Sequence, residues 1–535
     1  MRNFIIIVGV FLGVCLLAVV GMGVFLMLSP GSKLFGIQYV KADSTSSANI
    51  TKTYDEELTG NIIIETYGVP VNVKYSSAGN FEFHFVQKFN GFTKSNLSKP
   101  KLSISKNDDG DLIVKTEEFV PFIWGSSRSG YSLDCTIPAS LGKRAITLSS
   151  SNSDCKLGSS QYAVGNISTA SIKTSGSISF DGSLNIDDLQ IKDAKKSINI
   201  PSSVVVSNVD ISAGGKATKI NSVVAGYLKF KSGNGSLTFK TCGALDATTK
   251  GGKIESTSMD VSVGGNAKIT TTSGKVILQR VNGDLAISAN RGNVYVGQND
   301  KATNPGVVGK VTIETTSGKV YLFGTYEATD KAVSVKTSSG AVYVGDNSRS
   351  ETEKADGALV DIAILNVATK SGKVVIEKVG KTTIETTSGN VEIGSFKEAK
   401  INTNSGDVNV SANYAFSQLE VSTGRNGNIK AYGLTGRTII SSQAKIYASF
   451  DAVQGAIKIA GKDKEVKVVL PDSITTESKH FWIDSKKTIA TVHVGAVSRQ
   501  AKTYHSIDQL DESDLNLIKV SSSGGKIIVA NKKFA

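Results

Sequence analysis

His84, His480, His493 and His505 are the only imidazoles this 535-residue chain has for proton transfer or metal binding. None stands at the i, i+4 spacing of a zinc helix or near a Gly-x-Ser-x-Gly nucleophile turn, so each is expected to be structural. Asn107-Asp108-Asp109-Gly110-Asp111 gathers carboxylates as a calcium loop does. That loop needs alternating ligands and a bidentate Glu at its twelfth position, which are missing; Asp-Gly between alternating strands is an ordinary hairpin turn. Glu314, Glu385 and Glu392 could act as an acid and a base only if the fold aimed them into one groove, as a carbohydrate-active β-helix would. They alternate with lysines, so solvation and ion pairs between stacked strands account for them. Tyr295, Tyr321, Tyr343 and Phe323 could form a strip for sugar rings, although packing of one ring on the next is favoured. The four cysteines show no metal-ligand spacing and are too few for a disulfide framework. Cys135 and Cys155 would pair only if their strands were neighbours; two separate buried thiols are the alternative. No catalytic, cofactor or metal residue is expected, and the chain reads as a non-enzyme.

The elements that hold these residues are read from glycine. The chain has 53 glycines and 8 prolines, and scarce proline suits long stretches of hydrogen-bonded strand. From about residue 165 one pattern recurs: alternating apolar and polar residues, then Ser-Gly, then alternation again. ITTTSGKVIL from Ile269, IETTSGKVYL from Ile313, VKTSSGAVYV from Val335, IETTSGNVEI from Ile384 and INTNSGDVNV from Ile401 are the clearest copies, with weaker ones around Gly176, Gly235, Gly292, Gly372 and Gly525. Period-two alternation predicts strands with Ile313, Thr315, Val320 and Leu322 inside and Glu314, Lys319 and Tyr321 outside. Gly274, Gly292, Gly318, Gly340, Gly372, Gly389 and Gly406 fall 18, 26, 22, 32, 17 and 17 residues apart. Each marks a corner that needs either positive φ or close backbone approach.

A unit of 17 to 22 residues cannot bury a core alone, so its dry face must stack on its neighbours. A β-solenoid, parallel β-helix-like, follows, with Val320, Val342, Val374, Val391 and Val408 in one inner column. An antiparallel meander is the alternative, in which Ser-Gly turns a hairpin that pairs Ile313 with Leu322 and Thr315 with Val320. The solenoid is favoured because hairpin turns prefer Asn-Gly or a leading Gly, and because the spacing recurs so often. Gln298 to Gly306 and Asn347 to Gly357 read as loops inserted into two of the rungs.

After a flank of residues 1–3, Phe4 to Leu28 runs 25 residues without a charge, about 37 Å as a helix and enough to cross a bilayer core. An uncleaved transmembrane anchor is expected, since a cleaved signal has a shorter apolar region and a small-residue cleavage site. Arg2 before the span and Lys33 and Lys41 after it leave the orientation undecided. Residues 29–48 form a linker, 49–160 an N-terminal β-rich cap, 161–470 the repeats and 471–535 a C-terminal β-rich cap. FVPFIWGSSRSGY, from Phe119, is expected to be a buried strand end. The net charge of +13 is spread without a dense basic run or an arginine and aromatic stripe, which argues against nucleic acid. It suits contact with anionic envelope polymers, glycans or another cell surface.

The span, the β-rich opening and the TTSGxV repeats, with YSLDCTIPASL from Tyr131 and VKVVLPDSI from Val466, resemble a bacterial family of β-strand-repeat envelope proteins named for adhesins, a domain of unknown function with LiaG-like members. The likeness covers roughly residues 50 to 470. It implies a surface-exposed β-solenoid with an adhesive or envelope role, and it brings no catalytic residues. The expected function is a cell-membrane-anchored, extracytoplasmic adhesin-like binding or structural protein. The alternatives are a self-associating envelope scaffold or stress component, and a carbohydrate-active β-helix enzyme.

Overall fold

Alternation makes one face of each strand dry, and strand Val311–Thr315 shows it: Val311, Ile313 and Thr315 are buried and Glu314 is exposed. Past the corner, Val320 and Leu322 are again buried while Tyr321 is half-buried and Lys319 exposed. The computed structural model describes residues 2–28, 33–34, 37–40, 48–55, 57–94, 101–117, 127–297, 306–326, 332–345 and 361–535. Most of the linker, residues 119–126 of the tryptophan-bearing segment and nearly all of the two inserted loops lie outside them. The chain forms two units, Met1–Lys231 and Ser232–Ala535.

In the second unit Ile313 pairs in parallel with Ile287 on one side and Val335 on the other. Val320 pairs in the same way with Val294 and Val342. The antiparallel alternative is thereby excluded, and the repeats form a parallel solenoid. One inner column runs in register from Leu237 through Ile254, Val276, Val294, Val320, Val342, Val374, Val391, Val408, Ile429, Ile446 and Val466 to Ile527. All are buried, and β-branched side chains fill a column between parallel strands without a gap. Each such burial contributes roughly 1.5–3 kcal/mol.

The corner glycines are explained by approach, not by φ. A Cβ on Gly274 would stand 2.0 Å from the carbonyl oxygen of Gly252, and one on Gly292, Gly318, Gly340, Gly372, Gly389 or Gly406 would meet the preceding corner's oxygen at 1.9–2.1 Å. None of the seven has a positive φ. The threonine three residues earlier closes the turn: Thr271, Thr337, Thr369, Thr386 and Thr403 Oγ1 accept the corner glycine N–H at 2.8–2.9 Å. The Thr of the repeat is thus an inward-facing cap for a backbone donor the ladder cannot reach. Where the residue after the glycine is Asn or Asp, its Oδ1 accepts an N–H from the next rung, as Asp407 takes that of Asn428 at 2.8 Å.

The first unit carries the same parallel register earlier than the repeat motif suggests. Leu112, Ile62, Ile146, Ala170, Leu189 and Val209 form one column and Leu133, Val71, Cys155, Ile178, Ile198 and Thr218 another. Within this unit parallel stacking is thus already present from Ile62, among residues expected to form the N-terminal cap. The first corner, Tyr67-Gly68-Val69-Pro70, turns through Gly68 at φ 72° and lacks Ser-Gly altogether. Antiparallel strands close this end: Lys101–Lys106 lies on Leu112–Glu117 and Phe81–Lys94 on Ser127–Pro138. The Asn107–Asp111 segment is the hairpin turn between the first two, with Gly110 at φ 82° and the Asp111 carboxylate accepting the Asn61 N–H at 2.7 Å. The helix Arg2–Leu28 is 27 residues long, and near its end Leu26 is buried and Gly23 lies against the Phe92 ring.

The far end of the second unit is not built in chain order. Leu517–Ser522 pairs in parallel with Ile457–Gly461 on one side and His480–Ser485 on the other. Ile527–Asn531 lies likewise between Val466–Leu470 and Ala490–Val494. The later segment is thus intercalated beneath the earlier one, and the outermost rung is finished by antiparallel strands Val497–Ala501 and Thr503–His505.

Candidate functional site

Outward positions of the first strand in each rung line up as directly as inward ones. In the second unit Ser288, Glu314, Lys336, Ala368, Glu385, Asn402 and Ser422 are register neighbours in that order. They form the floor of an open groove of about 890 Å³. Its wall is the row of residues that opens each corner, Asn290, Thr316, Ser338, Lys370, Thr387 and Asn404. The backbone of that row is self-satisfied, since each N–H donates to the carbonyl of the row member one rung back, at 3.0–3.1 Å from Thr316 to Asn404. What faces solvent is side chain: hydroxyls, amides and four charges, Glu314, Lys336, Lys370 and Glu385, whose sum is zero.

Several charges elsewhere on the outer surface are paired between rungs. Lys381 with Glu398 and Lys400 with Glu420 are register neighbours joined at 2.9 Å, and Lys373 reaches Glu392 at 2.8 Å. Glu314 and Lys336 are also register neighbours, yet neither they nor Glu385 form an ion pair or side-chain hydrogen bond among the described residues. The groove thus presents a run of polar side chains that are uncommitted among the described residues. A similar corner groove of about 610 Å³ lies in the first unit, lined by Ser149 to Asn152, Lys173 to Ser175, Asp193 and Lys195.

The aromatic strip is a stack. Tyr295 and Tyr321 lie 4.6 Å apart at 7°, Tyr321 and Tyr343 5.0 Å apart at 12°, and the Lys275 ammonium sits 4.1 Å over the Tyr295 ring. Each ring covers the face of the next, so the faces a sugar would need are largely taken. Partial burial and the neighbouring Tyr295 and Tyr343 hydroxyls push the Tyr321 phenol up to about 12.

Cys135 and Cys155 are not on neighbouring strands. Strand Val71–Ser76 lies between theirs, with Val73 opposite Cys135 and Val71 opposite Cys155. Two strand spacings and a two-residue offset along the strand put the cysteines about 11–12 Å apart, beyond the roughly 7 Å limit for a disulfide, and both thiols are free and buried. Burial raises the Cys135 pKa, and pushes Cys155 and Cys242 up to about 12.

Three histidines gather in the C-terminal cap, a proximity visible in their spacing from 480 to 505. His505 Nε2 meets Asp484 Oδ1 at 2.9 Å, the Trp482 indole N–H donates to Asp484 Oδ2 at 2.8 Å, and the two rings stack 3.7 Å apart. His480 Nδ1 meets Asp514 and His493 Nδ1 meets Ser498 Oγ. These interactions pin the antiparallel closing strands and the Asp514 loop to the outer rung. No group of three His, Cys, Asp or Glu residues able to hold a metal occurs among the described residues.

Among solved structures, a protein of Clostridium sporogenes ATCC 15579 provisionally named for cell adhesion is similar to this chain. It is 9% identical, with a TM-score of 0.11 over 91% of this chain and 100% of that one. No curated protein matches. The family model described as Toastrack DUF4097 matches twice, at residues 192–363 and 359–530. The two matches meet inside one unbroken register, in which Val342 pairs with Val374 and Val374 with Val391. Together they span more than half of the chain, which therefore belongs to the Toastrack DUF4097 family.

Proposed function

We propose that this is a membrane-anchored protein held outside the cytoplasm that binds another surface through a repeated outer face, without catalysis. The observation that carries the reading is the corner groove, where uncommitted hydroxyl, amide and charged side chains recur at rung spacing over seven rungs. Each contact is weak, and repetition supplies the affinity through effective concentration. The apolar stretch Val8–Leu28, long enough to span a bilayer and almost wholly exposed, supports the tether. A family of unknown function adds no ligand to this reading, and fold alone assigns none.

Hydrolysis of a glycan is disfavoured by the same geometry. Glu314 and Glu385 stand three rungs apart, about 14 Å, whereas paired glycosidase carboxyls are about 5–9.5 Å apart. An epitope tag after Ala535, followed while protease is added to intact and then to opened cells, tests the placement. Loss of the tag from intact cells with a cytoplasmic control spared is expected. Survival until the inner membrane is opened would replace the adhesive reading with an intracellular scaffold.

A further inference from the structure

We propose that the corner groove of the second unit takes an extended, electrically neutral glycan bearing N-acyl groups, laid along the stack with about one sugar residue per rung. The proposal rests on the adhesive reading above and names its ligand class. Four observations select it. The floor repeats at the strand spacing of about 4.8 Å, close to the advance of one ring in an extended sugar chain, and from Ser288 to Ser422 it covers about 29 Å. That is room for roughly six sugar residues at one per rung.

The charges of Glu314, Lys336, Lys370 and Glu385 cancel, so the groove does not attract a polyanion in the way the chain's net +13 would. Asn290, Asn402 and Asn404 present amides, each able to donate to an acyl oxygen and accept from an acyl N–H, and none of the three side chains makes a hydrogen bond among the described residues. An extended peptide is disfavoured because it binds by adding to a strand edge. The wall's backbone groups are already paired rung to rung, so the groove has no edge to extend.

The groove contains no aromatic ring, so affinity per sugar is low and must grow with length. The test is calorimetric titration of the detergent-solubilised full chain with N-acetylglucosamine oligomers of two to six residues. The fully deacetylated hexamer, an oligogalacturonate hexamer and a Ser/Thr-rich decapeptide are compared. Affinity for the acetylated oligomers is expected to rise at least tenfold from dimer to hexamer. Ala368→Trp, which fills the middle of the floor from a half-buried outward position, is expected to weaken the hexamer at least tenfold. Asn402→Ala with Asn404→Ala, which only trims outward side chains, should weaken it several-fold at an unchanged unfolding midpoint. Tighter binding of the deacetylated, anionic or peptide probe overturns the proposal, as does hexamer binding that neither variant alters. If no oligosaccharide binds but the chain still retains envelope fragments, the ligand class is wrong and the adhesive reading survives. If neither is retained, both fall.

Discussion

At the scale of single residues, the corner glycine is the position on which the stack depends. Gly340→Ala places a methyl 2.0 Å from the Gly318 carbonyl oxygen, and backbone has to move to admit it. A loss of about 1–3 kcal/mol is expected in urea unfolding. Gly264→Ala, whose added carbon meets nothing nearer than 3.7 Å, should change stability by less than about 0.5 kcal/mol. The glycine was legible because both explanations for it, positive φ and close approach, exclude a side chain. Which one holds depends on the rung underneath, and a single repeat does not contain that rung. The cysteines were legible only as types, because pairing turns on which strand lies between them. With its pKa pushed up to about 12, Cys155 has almost no thiolate at pH 8. Maleimide should therefore label Cys135, Cys155 and Cys242 only after denaturation, and equal labelling in the native state would contradict the burial. The sign for stability follows: a raised thiol pKa favours the folded state below the free value of about 8.5, and that contribution is lost as pH climbs toward 12.

At the scale of the element, alternation and the T-x-S-G corner were enough to predict rungs, inner columns and parallel stacking. They failed where a corner is made from other residues. Tyr67-Gly68-Val69-Pro70 turns as sharply with a left-handed glycine and no Ser-Gly, so the opening rungs looked like a separate cap. The last copy of the repeat, around Gly525, was recognisable, but its place in the stack was not, because strand identity does not state strand neighbour. The groove was foreshadowed by Glu314 and Glu385. Its emptiness of ion pairs was not, since Lys336 is spaced as if to pair with Glu314 just as Lys400 pairs with Glu420. Such pairs contribute little where both partners are about half exposed. Lys400→Ala should cost less than about 1 kcal/mol, a difference that shrinks further in 0.5 M salt; a larger, salt-independent loss would mean the lysine stem is packed.

At the scale of the whole molecule, the sequence separates an apolar helix from a polar-surfaced β region, and the structure keeps that division. Removing residues 2–28 should move the protein from the membrane pellet to the soluble fraction. The β units should unfold at a nearly unchanged urea midpoint, since among the described side chains of the helix Leu26 is the one large one that is fully buried. A pellet-bound truncated chain would instead show a second attachment to the membrane.

The intercalated pair Leu517–Ser522 and Ile527–Asn531 sets a constraint on timing. A parallel stack can assemble as it leaves the ribosome, each new rung settling on the last, but here that habit leads to error. His480–Ser485 is made first and has the same alternation as the segment whose berth it would reach, so sequential assembly traps a wrong neighbour beside Ile457–Gly461. The berth must stay vacant, or be vacated, until some 30 further residues have been made. Refolding of this protein should therefore show a slow final phase, and the antiparallel strands that follow Val494 give the early segment something else to hold while it waits.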